Sequence, residues 1–581
     1  MPAFSRRTFV TGASGAALGL ALADGRFASA ASLDRALART AARAVRTAGT
    51  TLEQVATPTG SGTYKRLRGG PGWPLVVRGE LAPASATRDD RRTGLASFVQ
   101  LTDLHLVDTE SPVRFEYLSR LMGSGAHRPQ ETLSVLGTTS LIERVNSLSR
   151  GPFTGTPFSL VMTTGDNTDN HEHLELDWYL TVMSGGTITP SSGDPNRYEG
   201  VQNSGSTLYW NPEAALRDAY KARGFPRIPG FLTGAGRKVT SPGLRFPWYT
   251  TVGNHDDSIE GTLPDLGLLR SLYTGDRKIE GCDDATADKL AGLLRTDPAR
   301  AVAQFAKLLG DGGAVRRVTP DERREPFTPK EFARAHLSPV HTGSGPVGHG
   351  YTEENAATGK LYYTFQLAEG VVGVSLDTTN RAGFAEGSIG TEQLKWLEDV
   401  LRSHSDHWYE TDGRAVRGGG SAQLVVLFSH HTSTSMDNLL PDPYRPFEAR
   451  HDGKALVKLL QRYPNVVAWV NGHSHENRIT AHGHAVPERS FWEINTASHV
   501  DYPQHARIIE IADNGDGTLS LFTTLVESAA RYETDFGDTS EAGLAALYRE
   551  LSFNDPHSTP ATRIGTPADH NTELLLHKPR G

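Results

Sequence analysis

The chain has 581 residues, of which 22% are charged and 37% hydrophobic, and its formal net charge is −8. This length allows a large buried core, and so mild a charge argues against a surface for nucleic acid or acidic membranes. The composition indicates a globular protein whose body contains no membrane-spanning segment. The single cysteine, Cys282, excludes an intrachain disulfide and a thiolate cluster, so any metal must be held by oxygen and imidazole nitrogen.

The first thirty residues are typical of an export signal. Ser5-Arg6-Arg7-Thr8-Phe9 precedes an apolar stretch, and Ala28-Ser29-Ala30 fits a signal-peptidase site. The arginine pair resembles a twin-arginine signal, so we expect the twin-arginine export machinery, which carries folded proteins, as a partner. The alternative is an ordinary secretory signal with a chance arginine pair. Either signal predicts an exported mature protein, whether extracellular, periplasmic or associated with the cell wall.

Apolar runs of strand length recur from residue 96 onward, and several alternate with helical patterns. After a short strand at Pro74–Val77, the predicted strands are Ala96–Leu101, Phe158–Thr163, Phe246–Val252, Leu361–Leu367, Val371–Leu376, Leu424–Phe428, Val466–Val470, Phe491–Ile494, Ile508–Ile511 and Leu519–Leu525. The predicted helices are Ser32–Thr50, Glu131–Leu148, Asp297–Leu309, Glu392–Leu401 and Lys454–Arg462. This alternation, with hairpins near its end, indicates an α/β fold with mixed sheets.

Two long stretches interrupt the alternation, and stretches of that length are typical of capping insertions or binding lids. Asp297 followed by Pro298 is typical of a helix start, which favours a folded cap in the second stretch. We therefore predict an export signal at 1–30, an amino-terminal arm at 31–94, a main domain at 95–530 with insertions at 171–245 and 257–360, and a carboxy-terminal extension at 531–581.

Five of the predicted strands are followed by side chains that bind metals. The five segments are Asp103-Leu104-His105, Gly165-Asp166-Asn167-Thr168-Asp169, Gly253-Asn254-His255-Asp256, His430-His431 and Gly472-His473-Ser474-His475. In a sheet with crossover connections the carboxyl ends of neighbouring strands lie along one edge, so these side chains can meet there. Imidazole, carboxylate and amide ligands suit manganese, iron or zinc better than calcium or magnesium. The sequence therefore predicts a composite metal site.

In this order the segments match the pattern D-x-H, G-D-x-x-D, G-N-H-[DE], H, G-H-x-H, and the chain thereby resembles the calcineurin-like metallophosphoesterases. The resemblance covers residues 103 to 475 but not the first ninety-odd residues, the two insertions or the tail. It implies a four-layer α/β/β/α sandwich with mixed sheets and long capping insertions. It also implies two metal ions as cofactors, with manganese, iron and zinc as the candidates.

The resemblance further implies a role for each matching residue. The predicted metal ligands are Asp103, His105 and His475 for one ion, Asn254, His430 and His473 for the other, and Asp166 as the bridge. His255 would contact the phosphoryl oxygen or protonate the leaving group, and Asp169 would orient His255. His431 stays open as the alternative to His430. Further candidates to touch the site are His171 and His173 after the second segment, and His499, Asp501 and Tyr502 after the strand Phe491–Ile494.

Departures from the motif pattern narrow the branch of the family. Asp169 is followed by Asn170-His171 rather than by the Arg-Gly of Ser/Thr protein phosphatases, and it stands where purple acid phosphatases have an iron-binding tyrosine. The motifs look most like the exported bacterial branch that includes cyclic-nucleotide and glycerophosphodiester phosphodiesterases. That branch usually has a proline soon after the doubled histidine, whereas here Thr432-Ser433-Thr434 follow.

The predicted function is hydrolysis of a phosphomonoester or phosphodiester outside the cytoplasm, by attack of a metal-bound hydroxide on phosphorus. We expect a small-molecule phosphoester as substrate and no nucleic-acid partner. Two alternatives stay open. One is a secreted metal-containing binding module without catalysis, and the other is a nuclease of the same fold, which would need a basic groove.

Overall fold

The computed structural model describes residues 45–264, 269–308 and 313–579. The predicted export signal at 1–30 and most of the predicted helix Ser32–Thr50 lie outside these residues, and residues 45 to 50 are not helical. In the part of the chain that the structure describes, no helix combines the length and the apolar character needed to cross a bilayer.

The described residues form a seven-stranded and a six-stranded sheet. In chain order their strands are β1 (Leu75–Arg78), β2 (Thr93–Leu101), β3 (Val161–Thr164), β4 (Trp248–Thr251), β5 (Tyr363–Ala368), β6 (Val371–Ser375), β7 (Leu424–Phe428), β8 (Val466–Asn471), β9 (Arg478–His482), β10 (Phe491–Asn495), β11 (Ala506–Asp513), β12 (Thr518–Val526) and β13 (Asn571–His577). Smaller antiparallel pairs join Gln54–Thr59 to Arg66–Pro71, Gly186–Ile188 to Val239–Ser241, Ser258–Ile259 to Leu263–Pro264, Arg277–Gly281 to Ala314–Arg317, Ile389–Gly390 to Arg450–His451, and His407–Tyr409 to Ala415–Arg417.

Both large sheets are mixed. The seven-stranded sheet has the order β1-β13-β12-β11-β2-β3-β4, in which β2, β3 and β4 run parallel and β11 and β12 are antiparallel to their neighbours. The six-stranded sheet has the order β5-β6-β7-β8-β10-β9, with β6, β7, β8 and β10 parallel and an antiparallel strand at each edge. The five segments of metal-binding residues follow β2, β3, β4, β7 and β8, so each begins at the carboxyl end of a parallel strand.

The α-helices lie between and around these strands. They are Arg88–Arg91, Ser119–Met122, Ser134–Ser147, His173–Ser184, Phe231–Ala235, Arg270–Tyr273, Asp284–Thr296, Pro298–Lys307, Pro329–His336, Glu353–Thr358, Thr391–Ser403, Gly453–Leu460, Glu541–Asn554 and Pro560–Arg563. Helix Pro298–Lys307 begins as its sequence predicts, because the Asp297 side chain accepts a hydrogen bond from the Arg300 backbone N–H. The second insertion therefore contains folded helices.

The two faces of the six-stranded sheet contribute to different apolar cores. Val426 and Phe428 of β7 belong to the core that also contains the apolar residues of the seven-stranded sheet, where Phe98 and Phe428 contact with ring centroids 5.5 Å apart. Val425 and Leu427 belong to another core, which includes residues of helices Thr391–Ser403 and Gly453–Leu460. Alternate residues of β7 are therefore buried on opposite faces of the sheet. The two mixed sheets and the helices that pack on them confirm the predicted α/β class with mixed sheets. The four-layer order stays a prediction.

The second insertion has an apolar core of its own. Leu290 and Phe305 of its helices pack in one cluster with Phe115 and Leu118, which come from the loop after β2. Cys282 borders this cluster and is partly buried. The second insertion thus packs, through apolar contacts, on the loop after β2, which also carries the predicted ligands Asp103 and His105.

Segments that the sequence analysis places outside the 95–530 domain supply strands of the seven-stranded sheet. β13 pairs with β12 on one side and with β1 on the other. Helix Glu541–Asn554 contributes Leu544 and Leu551 to the main core. The sequence does not indicate β13 because its apolar run, Leu574 to Leu576, is only three residues long, shorter than the runs that indicate a strand, although all three leucines are buried.

This assignment can be tested by the substitution Leu574→Ala in β13. Leu574 is fully buried, so we expect the free energy of unfolding to fall by about 2–5 kcal/mol. Leu439→Ala is the control, because Leu439 is 53% exposed and should change stability by less than about 0.5 kcal/mol. Urea unfolding measures both variants, and equal small changes would contradict an integral β13.

Candidate metal centre

Backbone hydrogen bonds join the loops that follow β2, β3, β7 and β8. The Asp103 N–H donates to the Gly165 carbonyl at 3.1 Å, and the His105 N–H donates to the Asp166 carbonyl at 3.0 Å. The Gly472 N–H likewise donates to the His430 carbonyl at 3.0 Å. The structure therefore brings the predicted site residues together at one place, although they are spread from residue 103 to residue 475.

Five of the seven predicted metal ligands have left-handed backbone conformations. Their φ angles are 51° at Asp103, 44° at His105, 51° at Asp166, 70° at His473 and 56° at His475. Asp and His enter this region more readily than most residues, but each entry costs free energy and persists only where the surroundings impose it. Because five such residues lie close together, we infer that the surrounding structure imposes these loop conformations and that they direct the side chains into the site.

Two glycines of the motifs allow the loops to approach one another. A Cβ atom at Gly253 would lie 2.2 Å from Asp166 Oδ1, and one at Gly472 would lie 2.4 Å from Asp103 Oδ2. Any larger residue at either position would displace a carboxylate of a different loop. These glycines are thus required by close approach.

Four predicted ligands form what we call the first group. Their candidate ligand atoms all lie within 4.8 Å of one another, and the four residues are Asp103, His105, Asp166 and His475. The His475 Nε2 atom lies 3.2 Å from Asp103 Oδ1, and the His105 Nε2 atom lies 3.5 Å from Asp166 Oδ2. Burial raises the pKa of Asp103, whereas the charge of the facing His475 lowers it. The net effect is a lowered pKa.

The ring of His105 has a free lone pair that suits a cation. Its Nδ1 lies 2.8 Å from Asp169 Oδ1, which places the proton on Nδ1. Its Nε2 is buried and has no hydrogen-bond partner among the described residues. Burial and the nearby His255 lower the pKa of His105 to about 4, so the imidazole is neutral. A neutral Nε2 that faces the Asp166 carboxylate is favourable only with a cation between them, and these residues therefore fit a metal ion.

The remaining predicted ligands form what we call the second group, which consists of Asn254, His430 and His473 and shares Asp166. His430 Nε2 lies 3.1 Å from Asp166 Oδ2 and 3.2 Å from His473 Nδ1. Burial disfavours the charged imidazole of His430, but the charge of Asp166 outweighs it and raises the pKa of His430 to about 9. Asn254 donates from Nδ2 to the Gly261 carbonyl, which directs its Oδ1 to 3.1 Å from His473 Nδ1. A second cation fits among these atoms.

The geometry favours His430 over His431 as a ligand. His430 Nδ1 lies 2.8 Å from the Thr164 carbonyl, so its proton is held there and Nε2 faces the second group. His431 lies within ligand distance of His430 and His473. However, both of its nitrogens are engaged elsewhere, Nδ1 by the Thr378 hydroxyl and Nε2 by the Ala385 carbonyl, each at 2.9 Å.

His255 and Asp169 lie beside the first group, where the sequence predicts the catalytic residues. The backbone N–H of His255 donates to Asp166 Oδ1 at 2.9 Å. The ring atom Nδ1 of His255 lies 3.0 Å from the Asp169 backbone carbonyl. Burial lowers and the charge of Asp166 raises the pKa of His255, and the pKa is raised overall. The Asp169 carboxylate lies nearer to His105 Nδ1, at 2.8 Å, than to His255 Nδ1, at 3.3 Å. Asp169 therefore contacts two histidines of the site and not His255 alone.

Asp256 has a structural role that the motif does not reveal. Its carboxylate accepts hydrogen bonds from the backbone N–H groups of Gly253, Asn167 and Thr168 and from the Thr168 hydroxyl. It thus joins the loop after β4 to the loop after β3. Because Asn167 adjoins Asp166 in the chain and Asp256 adjoins His255, these hydrogen bonds fix the relative positions of Asp166 and His255.

Two buried arginines belong to the site and carry no recognisable signal in the sequence. Arg114 Nη1 pairs with Asp169 Oδ2, and the same guanidinium reaches Glu131 at 2.9 Å. Arg128 Nε lies 3.0 Å from Asp501 Oδ1. Each is a single arginine in a short loop segment, so only the tertiary contact identifies it.

The additional candidates from the sequence are divided by the structure. Asp501 reaches the first group, because its Oδ2 lies 2.6 Å from His475 Nδ1. His499 reaches the site through its backbone, because its N–H donates to the Asp103 carbonyl at 3.2 Å, while its ring packs against Tyr548. Tyr502 instead donates to the Ala56 carbonyl. His171 and His173 pack on Phe327 of the second insertion.

No protein-family model and no curated protein matches the chain. Among solved structures, it is similar to a dimetal phosphatase from Danio rerio, with a TM-score of 0.29 and 11% identity over 75% of this chain and 99% of that one. It is also similar to the purple acid phosphatase PPD1 from yellow lupin (Lupinus luteus) seeds, with a TM-score of 0.27 and 9% identity over 79% of this chain and 53% of that one.

The choice between the paired histidines can be tested by His430→Ala and His431→Ala. We expect His430→Ala to retain about one metal ion per chain in place of two, because the second group loses a nitrogen ligand. His431→Ala should retain both ions and serves as the matched control. Elemental analysis after loading with zinc or manganese and desalting gives the stoichiometry, and the reverse pattern would assign the ligand to His431.

Proposed function

We propose that the protein is a phosphoesterase that uses two metal ions to hydrolyse a phosphomonoester or phosphodiester. The observation that carries the proposal is the position of Asp166 between the first group and the second group. Its Oδ2 lies 3.5 Å from His105 Nε2 and 3.1 Å from His430 Nε2. A single carboxylate shared by two adjacent sets of ligands can serve two ions that lie close together, as in two-ion hydrolytic sites.

The ligand types favour manganese, iron or zinc as the two ions. When bound, such ions would supply Lewis-acid charge to a phosphoryl group and lower the pKa of a water molecule toward neutrality. Asp103, His105 and His475 would hold one ion, Asn254, His430 and His473 would hold the other, and Asp166 would serve both. The rest of the chemistry belongs to residues of the chain that touch the substrate or orient those that do.

His255 is the residue that we propose for proton transfer. The Asp169 carbonyl, 3.0 Å from Nδ1, can only accept a hydrogen bond, so it fixes a proton on Nδ1 and leaves Nε2 for the substrate. In its protonated form His255 can donate from Nε2 to a phosphoryl oxygen or to the leaving oxygen. Asp166 and Asp169 both favour that charged form.

The second insertion borders the site and can shape the substrate pocket. The Gly261 carbonyl, in the turn between Ser258–Ile259 and Leu263–Pro264, accepts from Asn254 Nδ2 at 3.1 Å. The same insertion packs on the loop after β2 through Phe305 and Leu290. We propose that this cap contributes to substrate choice in an α/β/β/α sandwich, the layer order that the motifs imply.

We further propose that the protein acts outside the cytoplasm, with a small phosphoester as substrate. The support is the twin-arginine pattern at Ser5-Arg6-Arg7-Thr8-Phe9. A route for folded proteins suits a site whose residues are drawn from most of the chain, because the metal ions can then be bound before export.

Hydrolysis by residues 31–581 tests the proposed activity. The protein is loaded in turn with manganese, zinc and iron and assayed with bis(p-nitrophenyl) phosphate and p-nitrophenyl phosphate. We expect turnover that a chelator abolishes and added metal restores, and the ratio of the two rates separates diesterase from monoesterase preference. The proposal is wrong if protein shown to hold two ions hydrolyses neither substrate with any metal.

The separate roles of His255 and Asp166 can be tested by substitution. We expect His255→Ala to keep both ions and to lose roughly 10²–10⁴-fold in kcat, since only a proton donor is removed. Asp166→Asn should lose metal and activity together, because both groups lose their shared carboxylate. Metal content and kcat are measured on the same samples, and equal metal loss in both variants would remove the role given to His255.

A further inference from the structure

Asp501 lies behind the first group, between a predicted ligand and two arginines. Its carboxylate is 1% exposed, and Oδ2 lies 2.6 Å from His475 Nδ1. The same Oδ2 lies 2.6 Å from Arg563 Nη1, while Oδ1 lies 3.0 Å from Arg128 Nε. The two arginines come from distant parts of the chain, and neither belongs to the motifs that predict the metal centre.

Arg128 also faces the other carboxylate of the site. Its Nη1 lies 3.8 Å from Asp169 Oδ1, which in turn lies 2.8 Å from His105 Nδ1. One buried guanidinium therefore lies between the two carboxylates that contact His105 and His475. His105 and His475 are the two imidazoles of the first group. In each, Nδ1 contacts one of these two carboxylates, while Nε2 faces Asp166 in His105 and Asp103 in His475.

A carboxylate on Nδ1 has a defined effect on an imidazole ligand. It keeps the proton on Nδ1, presents the Nε2 lone pair in a fixed direction and increases its basicity. A buried carboxylate can do so only if its charge is compensated, since burial without partners strongly disfavours the ionised form. Arg128 and Arg563 supply that compensation for Asp501, and Arg114 supplies it for Asp169.

We propose that Asp501 is a positioning residue of the first group, held by Arg128 and Arg563, and that Arg128 couples it to Asp169 so that His475 and His105 are oriented together. The inference rests on the metal centre of the proposed function. It gives the segment that contains Arg563, outside the motifs, a part in the site. It also makes the effect of Asp501 specific, because the second group has no contact with this carboxylate in the structure.

Metal binding by Asp501 variants tests the proposal. We expect Asp501→Ala to bind one of its two ions 10–100-fold more weakly, by chelator competition with zinc, and to bind the other ion as the wild type does. Asp501→Asn should show a smaller loss, because an oxygen remains for the His475 N–H. Cobalt(II) loading gives a second measurement, since the visible absorption of one cobalt ion should change when its imidazole ligand is released.

Glu573→Ala is the matched control. Glu573 is also a buried carboxylate with two arginine partners, Arg88 at 2.6 Å and Arg92 at 2.5 Å, but it lies in β13 and contacts no histidine. We expect this variant to bind both ions as the wild type does, whatever its loss of stability. If it weakens one ion as much as Asp501→Ala does, the effect is one of general destabilisation and the proposal is overturned.

Arg563→Met keeps the test decisive if Asp501→Ala does not fold. The Arg563 side chain is 14% exposed, against 2% for Arg128 and 1% for Asp501, so water reaches part of it and its replacement should disturb the fold less than Asp501→Ala does. We expect the same ion to be weakened. Unchanged affinities and an unchanged cobalt spectrum in the Asp501 and Arg563 variants overturn the positioning role. Loss of one ion from these variants in a protein that hydrolyses no phosphoester would uphold the positioning role and refute the phosphoesterase. A wild-type chain that binds no metal would refute both.

Discussion

The carboxylate of Asp166 is the contact on which the arrangement of the site depends. Its Oδ2 meets the imidazoles of His105 and His430, and its Oδ1 accepts the backbone N–H of His255. Burial alone would raise the pKa of Asp166, but the facing histidines hold it well below the usual range. Four loops, from β2, β3, β4 and β7, must therefore keep their relative positions for this one charge to be tolerated.

Charged side chains of alternating sign surround Asp166 and the histidine ligands. The carboxylates of Asp169 and Asp501 contact the histidine ligands. Those two carboxylates pair in turn with the guanidinium groups of Arg114, Arg128 and Arg563. In a buried network of this kind, loss of one partner leaves a charge without compensation, at a cost of about 3–5 kcal/mol. The left-handed backbone at Asp103 and His105 adds local strain. Such a site is stable as a whole and poorly tolerant of change in any part.

The sequence predicted the strands where an apolar run ends abruptly. Leu424–Phe428 has the predicted bounds, because polar Ser429 follows directly. Phe246–Val252 is shorter in the structure, Trp248–Thr251, since Pro247 cannot donate a hydrogen bond to the sheet. Strand β9 and strand β13 were not predicted. Strand β9 lies on a sheet edge and is mostly polar, and strand β13 has an apolar run of only three residues, which is too short to indicate a strand.

For the site, the sequence revealed residue types and not contacts. Asp103 through His475 were identified because metal-binding side chains recur at strand ends. That Asp169 approaches His105 more closely than His255 could not be predicted, because the pairing depends on how two loops sixty-four residues apart are packed. Arg114 and Arg128 have no local signature at all, since a buried arginine and an exposed one look alike in a sequence.

Strand β13 pairs with β1, from near the beginning of the described chain, with Leu75 opposite Asn571, and with β12 on its other side. During synthesis, β12 therefore has an open edge of unpaired N–H and C=O groups until residues 571–577 emerge from the ribosome. Such an edge invites pairing with other chains, and contacts this distant in sequence form slowly. Arg563 emerges at nearly the same moment, so the sheet and the support of the metal centre are completed together.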